Sequence, residues 1–174
     1  MTEQPAVPGA LPTPGLLRRL ACMLYEGVLL FGVLFFAGLV FGVGTGQRNA
    51  MVGQHALQAF LFVVLAVYFA GFWSSTGQTL PMQTWHIRLL TKDGARVTRL
   101  RAFMRYLCAY LWFVPALLTV WLSGLSSHAG ALTAALVAGV LAYAALALLH
   151  PQRQFWHDAV CGTRLVTWLP RRAA

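Results

Sequence analysis

Residues 16–44 read LLRRLACMLYEGVLLFGVLFFAGLVFGVG: the pair Arg18-Arg19 opens a long apolar run that a single acid, Glu26, interrupts. From Leu20 the run is long enough to cross a bilayer, since about 20 apolar residues cover the ~30 Å hydrocarbon core. At a helical rise of ~1.5 Å per residue, Glu26 lies about 10 Å beyond Arg19 along the axis. The spacing is about two turns, so the two side chains share one helix face. With Arg19 at headgroup level, Glu26 is inside the membrane, where a carboxylate facing lipid is costly. Glu26 must therefore face protein or water and find a cationic or hydrogen-bonding partner. A basic neighbour is the expected one.

The whole composition agrees with a membrane class. The chain has 174 residues, one domain's worth. It is 59% hydrophobic and only 10% charged, with a mean hydropathy of +0.66. Soluble domains carry about a quarter charged residues. Cys22, Cys108 and Cys161 are far apart and odd in number, so neither a disulfide framework nor a zinc site is read from them. A cleaved signal peptide is not expected, because the first fifteen residues carry Glu3 and the prolines 5, 8, 12 and 14 instead of a basic region.

Outward from the first run, the chain divides into a flexible tail over 1–15, a transmembrane domain over 16–169 and a basic tail over 170–174. Apolar runs at 20–44, 56–73, 103–122 and 129–149 predict an all-α, four-transmembrane-helix bundle. Phe72-Trp73 closes the second run as an expected interfacial pair, and Pro115 is an expected kink in the third. Between the second and third runs, Trp85, Ile87 and Leu89 alternate, and Lys92-Asp93-Gly94 is a turn signal before Val97. That pattern predicts a β-hairpin. After Pro151, residues 152–163 read as an amphipathic surface segment with Phe155 and Trp156 towards lipid.

Charge sets the topology. With four spans and the N-terminus inside, all of the thirteen Lys and Arg residues except Arg48 fall on the cytoplasmic face. The positive-inside rule selects such a split. It places both termini and the hairpin on the cytoplasmic side of a multi-pass membrane protein. The formal charge of +9 is then a topology signal that also favours anionic lipid headgroups, and nucleic acid is not an expected partner.

Several motifs together resemble the RDD family of bacterial membrane proteins. They are Arg19-Leu20-Ala21 with Glu26, Gly77-Gln78-Thr79-Leu80, the Asp93-Gly94 turn, Arg105-Tyr106, and His157-Asp158-Ala159-Val160-Cys161-Gly162-Thr163. The resemblance covers nearly the whole chain after residue 15. It implies that the family's arginine is Arg19, its first acid Glu26 and its second acid Asp158. Glu26 stands where an aspartate is usual, and Pro81 and Met82 replace a glycine and a lysine. Some members of the family have been linked to sodium–proton exchange, so the resemblance also implies an exchanger as one reading.

The candidate site is thus an intramembrane charge cluster of Arg19, Glu26, Asp158 and Arg105, with Gly77, Gln78, Thr79, Asp93 and Gly94 as the hairpin motif. The plain reading is a network of ion pairs that docks the first helix. The functional reading is a cation or proton site with Glu26 as the titrating group. His55, His86, His128, His150 and His157 do not have metal-ligand spacing, and no nucleophile elbow or phosphate loop occurs. No enzyme activity, metal or cofactor is expected. The expected protein is a small membrane module engaging anionic lipids or other proteins through its basic face, as a homo-oligomer or with other membrane proteins. The alternative is an ion or small-solute transporter.

Overall fold

The computed structural model of the chain describes residues 11–46, 53–110, 114–124, 128–149 and 154–169. The first apolar run forms α1, Leu16–Thr45, which ends where Gly46 adopts φ 62° and returns its N–H to Val43. Glycine meets no steric penalty in that left-handed conformation. The second run forms α2, Gln54–Ser75. Next, Thr79 caps the short α3, Leu80–Thr84, by accepting from the Met82 amide, and Pro81 sits in its first turn, where a missing N–H costs nothing.

Strand β1, Ile87–Thr91, follows. Its partner is not the Val97 segment. It pairs antiparallel with β2, Thr163–Thr167, in the register Ile87 to Thr167 through Thr91 to Thr163. The expected hairpin is therefore corrected to a two-stranded sheet that joins the middle of the chain to its end. Asp93-Gly94 does form a turn, with Gly94 at φ 81° and the Thr91 amide bonded to the Ala95 carbonyl. Beyond that turn Val97 is buried, and Thr98 accepts from the Arg101 amide to start α4, Arg99–Ala109. A helix start thus takes the residues that a second strand would have used.

The described parts of the third apolar run lie in α4 and in α5, Val114–Leu122. Pro115 lies in α5, and residues 111–113, next to the expected kink, lie outside the described residues. The fourth run forms α6, Ala129–Leu146, against α5. Three described stretches are long and apolar enough to cross a membrane: Leu16–Thr45, Gln54–Thr84 (which holds α2 and α3) and Ala129–Leu146. The expected third span, 103–122, includes residues 111–113, which lie outside the described residues. The described part of segment 152–163, residues 154–163, does not lie flat on the surface either. It contains α7, Trp156–Val160; Trp156 and Val160 are exposed, at 49% and 72%, while Phe155, His157 and Asp158 are buried.

The core gathers at the sheet end of the molecule. Ile87, Leu89, Val97, Ala102, Phe155 and Leu165 are buried together with Trp73 and Met82, so Trp73 is a core residue and not an interfacial one. Along α1 beyond Phe31, large apolar side chains such as Phe35, Phe36 and Leu39 stay exposed, as lipid contact requires.

A two-stranded sheet is marginal by itself, and here both outer edges are covered. On β1, the Leu89 amide bonds to the Gly77 carbonyl at 2.8 Å, and Gln78 Nε2 donates to the Ile87 carbonyl at 2.7 Å. On β2, Gln154 donates to the Leu165 carbonyl and accepts from its amide, both at 3.0 Å, while the Thr167 amide bonds to the Pro12 carbonyl. Residues 12 and 13 therefore serve the sheet edge instead of belonging to a free tail.

Gly77 has φ 76°, and a Cβ there would come within 2.8 Å of the Leu89 carbonyl oxygen. Gly77→Ala is expected to cost about 1–3 kcal/mol and to lower the thermal midpoint in detergent, read by tryptophan fluorescence. Gly32→Ala, where a Cβ meets nothing within 4 Å, is expected to leave the midpoint unchanged or to raise it.

Candidate functional site

Consecutive residues on a helix point about 100° apart, and the arginine pair uses this. Arg18 reaches along the surface, donating from Nε to the Trp85 carbonyl at 2.6 Å and from Nη2 to the His86 carbonyl at 3.3 Å. This grips the chain where His86 takes φ 51° just before β1. Arg19 turns inward and is only 4% exposed. Its guanidinium carbon lies 4.5 Å from the centre of the Phe155 ring, and its Nε and Nη1 make no hydrogen bond.

Two turns deeper, Glu26 is buried but does not bind a cation. Tyr68 Oη of α2 donates to Oε1 at 2.7 Å, and Thr79 Oγ1 donates to Oε2. The expected basic neighbour is thus replaced by two hydroxyls, which is the hydrogen-bonding alternative the run demanded. A hydroxyl brings no second charge into the low-dielectric interior and so carries a smaller desolvation cost than a guanidinium. Thr79 does two jobs, holding Glu26 and capping α3, which explains the Gly-Gln-Thr run. Gly77 gives the close approach, Gln78 the strand-edge bond and Thr79 the bridge to α1.

The charge pair lies elsewhere. Arg105 of α4 donates from Nε to Asp158 Oδ1 at 2.6 Å, with both side chains buried, and its guanidinium stacks 4.2 Å from the Trp73 ring centre. Thr163 Oγ1 donates to the same carboxylate oxygen at 2.9 Å. Burial pushes the Asp158 carboxyl up, but Arg105, His157 and the Thr163 hydroxyl outweigh it and hold the group below its ordinary range. His157 is pushed down to about 4, first by burial and then by Arg105, against the opposing pull of Asp158. It is therefore neutral near pH 7. The Tyr143 hydroxyl accepts from the His157 amide at 3.1 Å and lies 3.3 Å from Nδ1. This network assigns the ring proton to Nε2, which faces Asp158 Oδ2 at 3.6 Å.

Arg19, Glu26, Arg105 and His157 all line one cavity of about 450 Å³ between α1, α2 and α4, with Trp73 and Tyr106 among its other walls. Asp158 stands behind Arg105. The structure thus brings Arg19, Arg105 and Asp158 to one end of the cavity and sets Glu26 apart among hydroxyls. Gly94 and the exposed Asp93 are at the turn, outside the cavity. His55 and His128 are exposed at helix starts, and His150 lies outside the described residues. Among the described residues, no three His, Cys, Asp or Glu side chains group as metal ligands. The sequence reading missed Tyr68 and Tyr143, and it placed towards lipid Phe155, which is buried against Arg19. Tyr68 alone had a signal, as a hydroxyl inside an otherwise apolar run.

Comparison with protein families gives a match to the RDD family over residues 13–162. No curated protein and no solved structure matches the chain.

Removing one partner of a buried ion pair leaves the other charge uncompensated, at a cost of about 3–5 kcal/mol. Asp158→Asn is expected to destabilise by that order, and Arg105→Met added to it is expected to recover part of the loss, as a double-mutant cycle in thermal unfolding would show. Acid adds a second test. His157 has a folded-state value of about 4 against an ordinary 6.5, so the unfolded chain binds more protons between those values. Stability is full above about pH 6.5 and falls by about 3 kcal/mol on the way to pH 4. His157→Gln is expected to flatten that limb, leaving the further loss below about pH 4 that Asp158 contributes.

Proposed function

Since the chain belongs to the RDD family and carries stretches long and apolar enough to cross a membrane, we propose that it is a small multi-pass module of a bacterial inner membrane that engages anionic lipid headgroups and partner proteins through a basic cytoplasmic face. In this reading α4 and α5 together make the third of four crossings, and both termini and the sheet are cytoplasmic. One observation carries the reading. Lys92, Arg96, Arg99 and Arg101 are exposed around the turn and the start of α4, while Arg105, only a turn further on, is buried with Asp158. The basic residues are thus sorted into one that holds the fold and several that face outward at the membrane boundary. Each such cation near an anionic surface is worth about 1 kcal/mol.

The same reading treats the exposed apolar faces as lipid contacts or as contacts with other membrane proteins, a second copy included. It assigns the chain no catalysis, no cofactor and no nucleic acid. Glu26 serves structure, because its two hydroxyl partners tie α1 to α2 and to the cap of α3.

The test places the protein in nanodiscs with a trace of dye-labelled phosphatidylglycerol and reads energy transfer from its tryptophans. The labelled lipid is expected to be enriched around wild type. Replacing Lys92, Arg96, Arg99 and Arg101 by Gln is expected to lower that enrichment about tenfold, and so is salt at about 1 M, where the Debye length is about 3 Å. Unchanged enrichment in the variant would overturn the reading. Glu26→Gln keeps an acceptor for the hydroxyls. In proteoliposomes with a pH-sensitive dye, it is expected to match wild type under a sodium gradient. Sodium-driven proton movement present in wild type and lost in the variant would favour the exchanger instead.

A further inference from the structure

The exposed cations do not account for Arg19. The residue is 4% exposed, its Nε and Nη1 have no hydrogen-bond partner, and it forms a wall of the 450 Å³ cavity. Arg88 and Arg164 also carry unbonded buried nitrogens, but both residues are only half-buried at the sheet and neither lines this cavity. Arg19 is the one placed inside. A buried guanidinium presents five donors in a fork that fits a phosphate, and leaving it unmatched is costly.

The surroundings of Arg19 narrow the choice of anion. Asp158 gives Oδ1 to Arg105 and Thr163, and its Oδ2 faces His157. Glu26 lies about 10 Å deeper along α1, and both of its oxygens already take hydroxyl protons. The remaining wall is mostly apolar, with Leu20, Leu30, Leu65 and Phe69 among its residues. Its rim includes Met23, Gly27 and Tyr110, all exposed. Met23 and Gly27 also belong to an apolar groove that runs down the outside of α1 to Phe31. A polar head at Arg19 therefore has a continuous apolar path leading away from it along a membrane-spanning helix. Arg19 stands in the first turn of that helix, which in the preceding reading is the depth of lipid phosphates.

We propose that the cavity beneath Arg19 binds one anionic phospholipid, with its phosphate on the Arg19 guanidinium and an acyl chain leaving past Met23 and Gly27 along the outer groove of α1. The site rests on the membrane placement of the preceding reading, but on none of its exposed cations. A soluble anion would fill only the head end. A choline headgroup would bring a second cation up to Arg19 and Arg105.

Native mass spectrometry of the detergent-purified protein tests this, paired with thermal unfolding as lipid is added. Wild type is expected to retain one phosphatidylglycerol under activation that strips phosphatidylcholine, and to gain thermal stability as phosphatidylglycerol is titrated. Arg19→Gln is expected to weaken retention about ten- to a hundredfold and to lose the thermal response. Gly27→Leu, at a position where a Cβ meets nothing within 4 Å, fills the mouth without touching a charge and is expected to weaken retention as well. Replacing Lys92, Arg96, Arg99 and Arg101 by Gln is expected to leave the single retained lipid in place, so the two proposals fail separately. Equal retention of phosphatidylcholine, or wild-type retention by either Arg19→Gln or Gly27→Leu, would overturn the site. So would displacement of the lipid by inorganic phosphate alone, which would mark a site for a free anion.

Discussion

The contact between Arg105 and Asp158 holds the ends of this fold together. Asp158 is wholly buried, and its carboxylate is tolerable there only because Arg105 and Thr163 meet it. That bond fixes α7 against α4 and positions Thr163, the first residue of β2. From there the constraint passes along polar contacts. β2 pairs with β1, β1 is anchored to Gly77 and Gln78, and the next residue, Thr79, holds Glu26 of α1. Four separated parts of the sequence are joined by bonds that are each short-ranged and directional. The apolar helices need such joints, because lipid tails are as apolar as leucine and give little drive for one helix to choose another.

This division of labour also explains what could be read from the sequence. Hydropathy shows that the first, second and fourth runs are long and apolar enough to cross, since length and apolarity are local properties of a segment. The functional motifs were legible as positions too: Gly77-Gln78-Thr79, Arg105 and Asp158 all sit at structural joints. What was not legible was pairing. Ile87, Leu89 and the Asp93-Gly94 turn announce a strand and a reversal, but the partner strand lies past two further apolar runs, and nothing near Ile87 names it. The local evidence favoured Val97, which the structure uses instead as a buried anchor before the Thr98 cap.

Glu26 shows how an electrostatic demand can be right while the obvious partner is wrong. An acid two turns from an arginine on one helix face invites an ion pair. Yet side chains on one helix meet only when three or four residues apart. Seven positions separate Arg19 from Glu26, so each had to look to other elements. Glu26 found Tyr68 and Thr79, and Arg19 found the Phe155 ring. The pairing visible in the sequence was a shared direction, not a contact.

Three arginines here are stacked on aromatic rings: Arg19 on Phe155, Arg88 on Trp168 and Arg105 on Trp73. Stacking is worth about 0.5–2 kcal/mol, which offsets part of the cost of removing a guanidinium from water but leaves its in-plane N–H groups unserved. The three arginines meet that remainder differently. Arg105 turns its edge to Asp158. Arg88 is half-buried at the sheet with its Nε unbonded. For Arg19 the ring covers one face while the edge points into an apolar chamber that opens beside a membrane helix. Water entering that chamber would find few other polar groups to bind. A ligand that is polar at one end and apolar along its length matches every wall at once, and the bilayer supplies such molecules at high local concentration.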